Sequence, residues 1–320
     1  MNKDLLYLKK LFSKSFRVKR AGGQTNRNYI VTLKDKKFFV RLPWESVLDR
    51  KTEGGNILAL SRNKKIKRIL PAYHIYVLSQ KNILDPKSKE RYGVPDGTMV
   101  TEYISGREFT AKDFRQREYQ KRLAKTLCAF YTSGVRFVNQ YDVFRDEIGK
   151  YRVAVEKYPA TKIVSSEDLA EIKEIERKAK KQLPLSKKGI STHNDFLLQN
   201  FLVGPKGKIY LIDFEYAGFN MRGGISYDFG FFFADNLFRK PAITKKLFEE
   251  FLDTVEKEYK RRLNRRQIYW CAVAALLVQV WWGILRYFSV SPKERPYFKE
   301  YVQKRSIGVL DLYKELKEKS

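Results

Sequence analysis

The chain has 320 residues and carries 65 lysines and arginines against 36 aspartates and glutamates, a formal net charge of +29. A hydrophobic fraction of 43% and an aromatic fraction of 14% exclude a disordered chain and suit one large domain or two lobes. Two cysteines, Cys128 and Cys271, exclude a disulfide framework, offer no metal-site spacing and fit a reducing, cytoplasmic compartment.

The first 16 residues, MNKDLLYLKKLFSKSF, are basic but lack a signal peptide's long apolar run and cleavage site, and they read as an amphipathic helix. Residues 20–42 predict a glycine-containing turn and a hairpin, with strands YIVTL and KFFVRL joined by the polar KDK. Residues 49–62, DRKTEGGNILALSR, have helical spacing that Gly54 and Gly55 weaken. AYHIYVL and GTMVTEYI predict two more strands across a proline-bearing loop at 80–96. Beyond Gly106 the pattern turns helical, with long helices expected at 111–133 and 166–183, the second opened by Ser165 or Ser166. FLVG and IYLIDF, joined by PKGK, predict a further hairpin, and the chain after about 240 is mainly helical. Residues 268–288 approach the length of a membrane span with little charge before Arg286. Gln279 breaks that run, so the expectation is a buried helix, with peripheral or integral membrane contact as the alternative.

A charge of +29 predicts attraction to polyanions such as nucleic acid, anionic lipid or nucleotide phosphate. The basic residues are spread along the chain, as in 61–68 and 259–266, without a zinc-finger pattern or dinucleotide glycine fingerprint. A lysine-rich surface explains most of this, and a basic nucleic-acid-binding module remains the rival from another class.

Three hard-oxygen side chains stand at the ends of short apolar segments: Asp195 and Asn200 in STHNDFLLQN, and Asp213 in IYLIDF. Such a trio suits phosphoryl transfer, in which one carboxylate takes the proton of an attacking hydroxyl while an amide oxygen and a second carboxylate hold magnesium against ATP phosphates. His193 has no cysteine or histidine companions for zinc, and supports the loop by hydrogen bonding instead.

HNDFLLQN followed by IDFEYAGFN resembles the signature of the choline/ethanolamine kinase family, within the aminoglycoside-phosphotransferase-like and protein-kinase-like enzymes. The resemblance extends to GGQTNRNYIV, FFVRLP, TEYISG, YDVFRDEIGKY and, more weakly, WWG. It implies an α+β, two-lobed protein-kinase-like fold, with a small β-rich N-terminal lobe at 1–104 and a larger, mostly helical C-terminal lobe at 105–320. Carried over, the family pattern makes Asp195 the catalytic base and Asn200 and Asp213 the ligands of Mg2+. It places Gly22, Gly23, Thr25, Asn26 and Asn28 near the phosphates of ATP, and Arg41 on them with Glu53 as its acidic partner. Glu102, Tyr103 and Ile104 become the hinge that meets adenine through main-chain groups.

The acceptor implied is a small cationic alcohol, choline or ethanolamine, with no requirement for nucleic acid. A quaternary ammonium calls for aromatic faces and nearby negative charge, for which the candidates are Glu215, Tyr216, Asp228, Phe232, Asp235, Trp281 and Trp282. Adjacent tryptophans on one helix point about 100° apart, so at most one faces a given pocket. Leu285 stands where the family carries a second tryptophan, and the apolar FGFFF follows Asp228. These departures leave another amino alcohol, or an aminoglycoside-, sugar- or thiamine-type acceptor, as alternatives. Oligomeric state stays open.

Overall fold

The computed structural model describes residues 3–12, 15–22, 26–43 and 49–318. In its first hundred residues α1 (Lys3–Leu11) precedes β1 (Arg17–Ala21), β2 (Asn26–Leu33), β3 (Lys36–Pro43) and α2 (Arg50–Arg62). β4 (Tyr73–Leu78), β5 (Lys81–Asn82), β6 (Met99–Glu102) and β7 (Arg107–Glu108) follow. The chain continues through α3 (Ala111–Phe114), α4 (Arg117–Tyr131), β8 (Gln140–Tyr141), α5 (Lys150–Val155) and α6 (Ser166–Gln182). Three strands, β9 (Ile190–Thr192), β10 (Phe201–Val203) and β11 (Ile209–Leu211), then flank the HND and IDF motifs. β12 (Gly218–Asn220), α7 (Ile225–Asn236), α8 (Lys245–Tyr259), α9 (Arg265–Ser289) and α10 (Arg295–Glu318) complete it.

Two compact units emerge. The first comprises 1–109, 126–139 and 199–217, and the second comprises 110–125, 140–198 and 218–320. The first unit therefore runs five residues past the expected boundary at 104 and also includes the β10–β11 hairpin.

In the first unit six strands form one sheet in the order β1-β2-β3-β6-β4-β5. Cross-strand partners share a face, so the register sorts the side chains. Arg41 lies opposite Asn28 and Met99, Phe39 opposite Ile30 and Thr101, and Lys37 opposite Thr32. On the other face Tyr29, Val31, Val40, Leu42 and Val100 pack with Leu8, Leu11 and Phe12. The predicted amphipathic helix α1 thus covers the back of the sheet, where its buried Asp4 pairs with Arg27 at 2.7 Å.

Helix α2 forms despite its glycines because they let it close on its neighbours. A Cβ on Gly54 would stand 2.8 Å from Tyr76, and one on Gly55 would stand 2.9 Å from Val138. Asp49 caps the helix by accepting the Lys51 N–H.

The second unit is helical around a three-stranded sheet of order β8-β12-β9. The helix expected over 111–133 is divided, because a Thr110–Asp113 capping box starts the short α3 before α4 begins. Ser165 is the N-cap of α6. Helix α9 is long and apolar enough to cross a membrane, and 89% of its most apolar window is buried. It packs chiefly against α7 and α10, so its composition follows from its central place in the unit.

Candidate functional site

Arg41 is 4% exposed and sits at the end of β3 on the face that α2 covers. Its Nη2 lies 2.5 Å from Glu53 Oε1, and its Nη1 lies 3.9 Å from Glu215 Oε2. A second guanidinium, Arg50, reaches Glu53 at 2.8 Å and Glu215 at 3.8 Å, and donates to Asn26 Oδ1. Asn26 in turn donates to Glu215 at 3.2 Å, and the Tyr76 hydroxyl donates to Glu53 at 2.7 Å. Burial pushes the Glu53 carboxyl up, but Arg41 and Arg50 outweigh it and hold the group below its ordinary range. Burial likewise disfavours charge on Arg41, and Glu53, Glu215 and Asp213 keep it protonated.

Across the β10–β11 hairpin Phe201 pairs with Leu211, and the Ile212 N–H donates to the Asn200 carbonyl at 3.0 Å. This register brings Asn200 and Asp213 to the same end of one hairpin. Asp213 holds a left-handed φ of 63°, a conformation that costs a non-glycine residue about 1–3 kcal/mol and clusters at functional sites. Burial, and then the charge of Glu215, push its carboxyl up to about 7 against the pull of Arg41. Three carboxylates, Asp213, Glu215 and Glu53, thus stand among two guanidinium groups. Among the described residues no three acidic, histidine or cysteine side chains converge as a metal cluster; the hard-oxygen side chains at this end of the hairpin are Asp213 and Asn200.

Gly22 follows β1, and Asn28 on β2 donates to its carbonyl at 2.8 Å; Asn28 lies opposite Arg41 in the register, so Gly22 stands beside the Arg41 end of the sheet. Gly23 and Thr25 lie outside the described residues. At the hinge the Glu102 and Tyr103 N–H groups are taken by the carbonyls of Ala72 and Lys37. Ile104 is buried next to them. On the Arg41 face a cavity of about 250 Å³ is lined by Ile30, Thr32, Lys19, Lys37 and Tyr103.

The HND loop belongs to the second unit. Both oxygens of the Asp228 carboxylate are engaged by its backbone, accepting from the N–H groups of His193 at 3.1 Å and Asn194 at 2.8 Å. Asn194 adopts a left-handed φ of 63°, and its Oδ1 accepts from Thr192 and Asn220. His193 is fully buried with its ring edge-on to Phe196. Asp195, two residues beyond His193, is half-buried.

Several expected acceptor residues are placed differently. Glu215 stands in the Arg41 network, because Asn26 and two arginines claim its carboxylate. Asp228 clamps the HND loop, since two main-chain N–H groups use both its oxygens. Phe232 is 0% exposed among Phe114, Phe196, Phe248 and Phe251, and so belongs to the core. Trp281 is also buried, and its indole donates to Glu176. Asp235 is paired with Arg239 at 2.7 Å, Tyr216 is half-buried, and Trp282 packs edge-on against Phe298 and Tyr301. Sequence reasoning missed Arg50, which nothing distinguishes from 64 other basic residues until the fold sets it between two carboxylates.

The sequence matches the description choline/ethanolamine kinase over residues 18–260. The chain belongs to the choline/ethanolamine kinase family. Members of this family are phosphotransferases acting on an alcohol, and that is the enzyme class of this chain. No curated protein sequence matches it. Among solved structures, choline kinase LicA from Streptococcus pneumoniae is similar at TM-score 0.71 and 19% identity, covering 99% of each chain. An ethanolamine kinase from Plasmodium vivax is similar at TM-score 0.66 and 17% identity, over 95% of this chain and 85% of that one. Amicoumacin kinase hAmiN, solved with AMP-PNP and Ca2+, is similar at TM-score 0.68 and 15% identity, over 96% and 94%. At these identities the likeness shows the protein-kinase-like fold shared by the family.

Proposed function

We propose that this family member transfers the γ-phosphate of ATP, in the presence of Mg2+, to the hydroxyl of choline or a related amino alcohol such as ethanolamine. The observation that carries this reading is the buried network of Arg41, Glu53, Arg50 and Glu215. Burying such charges costs several kcal/mol per ion after relaxation, and a polyanionic substrate gives a reason for keeping a guanidinium there. On this reading Arg41 orients the nucleotide phosphates, and the Ile104 main chain meets the base at the cavity beside Ile30 and Tyr103. Asn200 and Asp213 would hold Mg2+, whose charge offsets that of the phosphates. Asp195 orients the acceptor hydroxyl and takes its proton, while Asp228 keeps the loop in shape through two main-chain bonds. The nucleotide analogue and divalent cation named for hAmiN support the cofactor assignment.

A second acceptor reading has its own observation. The Arg286 guanidinium lies 6.0 Å from the Trp282 ring centre, and that of Arg305 lies 3.6 Å from the Tyr301 ring centre. These aromatic faces already carry cations, which favours an uncharged, sugar-like alcohol over a quaternary ammonium.

A panel of choline, ethanolamine, 1-amino-2-propanol, an aminoglycoside, thiamine and a hexose, read by ATP consumption with and without chelator, tests both. Chelator-sensitive turnover on an amino alcohol is the expected result. Turnover confined to the hexose overturns the first reading in favour of the second.

A further inference from the structure

The adjacent tryptophans of α9 serve different places. Trp282 packs on α10, while Trp281 turns toward α6 and forms part of the wall of a separate cavity of about 300 Å³. Its other walls come from α5, the turn after it and α6, all within the second unit, and none of its lining residues belongs to the HND loop. That volume is at the lower end for small-molecule sites and suits a small metabolite more than a nucleotide.

The walls are fixed before any ligand arrives. Trp281 donates its indole N–H to Glu176 at 3.1 Å, and Tyr158 stacks on Phe288 with centroids 4.7 Å apart. Charges of both signs line the space: Arg152 and Lys173 are cationic and Glu156 is anionic, with Glu176 behind Trp281. Arg152 stands 3.4 Å from Glu176 and 3.9 Å from Glu156, yet its buried Nε makes no hydrogen bond. Its guanidinium is held there by charge, without a directed bond at Nε. Lys173 is exposed and forms no salt bridge or hydrogen bond among the described residues.

We infer that this cavity is a second, non-catalytic site for a zwitterionic phosphomonoester, the phosphorylated amino alcohol itself. A phosphate dianion takes charge-assisted bonds from Arg152 and Lys173. The ammonium end meets the carboxylate of Glu156. A wholly anionic ligand leaves Glu156 opposed to it, and a wholly cationic one faces Arg152 and Lys173. The mixed lining therefore matches a molecule bearing both charges. The identity of the ligand rests on the amino-alcohol reading above, since that reaction generates such a zwitterion; the site itself does not.

Calorimetric titration of the nucleotide-free protein with ethanolamine phosphate, inorganic phosphate and ethanolamine tests the inference in wild type, Lys173→Glu and Thr161→Trp. Both substitutions are at exposed lining positions, the first reversing a charge and the second filling the space. Ethanolamine phosphate is expected to bind wild type saturably, and both variants at this site at least about tenfold more weakly, the scale of one charge-assisted contact. Initial-rate kcat and KM are expected to stay unchanged, while a non-competitive component of product inhibition disappears in both variants. Wild-type binding and inhibition in both overturn the site, and equally tight binding of inorganic phosphate overturns recognition of the amine. If no amino alcohol is turned over, yet ethanolamine phosphate binds in a Lys173-dependent manner, the catalytic reading fails and the second site stands.

Discussion

The Arg41 network of the first unit and the α7–α9 layer of the second are both nearly closed to solvent, but they are filled with opposite kinds of side chain. Around Arg41 two guanidinium groups pair with the carboxylates of Glu53 and Glu215, a tyrosine hydroxyl donates to Glu53, and the charge of Asp213 acts from nearby. Around Phe232 the contacts are between aromatic rings. An aromatic ring is stabilised by burial wherever it lies, so its presence in a closed layer says little about ligands. A buried charge is costly unless partnered, so a network of them marks a place where a charged ligand gives reason for the cost. The expected Arg41–Glu53 pair is present and gains Arg50 and Glu215, whereas the aromatic candidates disperse into core and surface.

The largest expected effect tests the charged side chemically. Asp195→Asn should lower kcat by about 10²–10⁴-fold, the usual worth of general-base assistance, with ATP affinity unchanged by calorimetry. ATP binding lost in proportion to turnover would move Asp195 into the nucleotide site. On the aromatic side, Phe232→Ala should cost about 3–5 kcal/mol in urea unfolding, as a large core truncation does, and leave the acceptor KM of the folded fraction unaltered. A selective rise in acceptor KM at near-normal stability would return Phe232 to the acceptor site.

Arg41→Met separates structure from function within the network. It strands part of the charge of Glu53, and since Arg50 and Tyr76 remain bonded to that carboxylate, the loss should lie near the lower end of the 3–5 kcal/mol scale for broken buried pairs. Adding Glu53→Gln should restore part of the stability but none of the ATP affinity, as thermal melts and nucleotide titrations would report.

Glu147 is a charged group on the aromatic side. It accepts a hydrogen bond from Tyr141, whose hydroxyl also bonds that of Tyr227, and burial pushes its carboxyl from 4.5 up to about 7. Below pH 4.5 the folded and unfolded chains both hold its proton. Between there and about 7 the unfolded chain has lost the proton and the folded chain keeps it, so stability falls as pH rises, then levels off. Glu147→Gln should remove that slope and gain about 3 kcal/mol at pH 8 but little at pH 4.5. Unfolding curves of equal pH dependence in both proteins would show that Glu147 ionises freely in the fold.

Trp282→Leu is the smallest and finest test. A ring over a desolvated cation is worth about 2 kcal/mol, or about thirtyfold in affinity. If the ring meets the acceptor's cation in place of Arg286, the amino-alcohol KM should rise on that scale while the ATP KM holds. A lower melting temperature with both constants unchanged would assign Trp282 to the packing of α9 on α10.

Strands β2, β3, β4 and β6 of the first sheet and most helices were legible because their hydrophobic periods are local properties, whereas the exposed β1 and the two-residue β5 carry no such period. Gly54 and Gly55 obscured α2, since the neighbours that require them, Tyr76 and Val138, lie far off in sequence. The apolar run of α9 left membrane contact open beside the expected buried helix, because composition reports that a surface is removed from water but not what removes it.

The sequence by itself carried the resemblance to the family, and with it the kinase-like class of fold, because HNDFLLQN and IDFEYAGFN are short local segments. The tertiary structure alone decided that Arg50 joins the Arg41 network, that Asp228 holds the HND loop, and that Trp281 and Trp282 look into different surroundings. Those outcomes depend on strand register and helix rotation, and these are settled by packing between segments far apart in the chain.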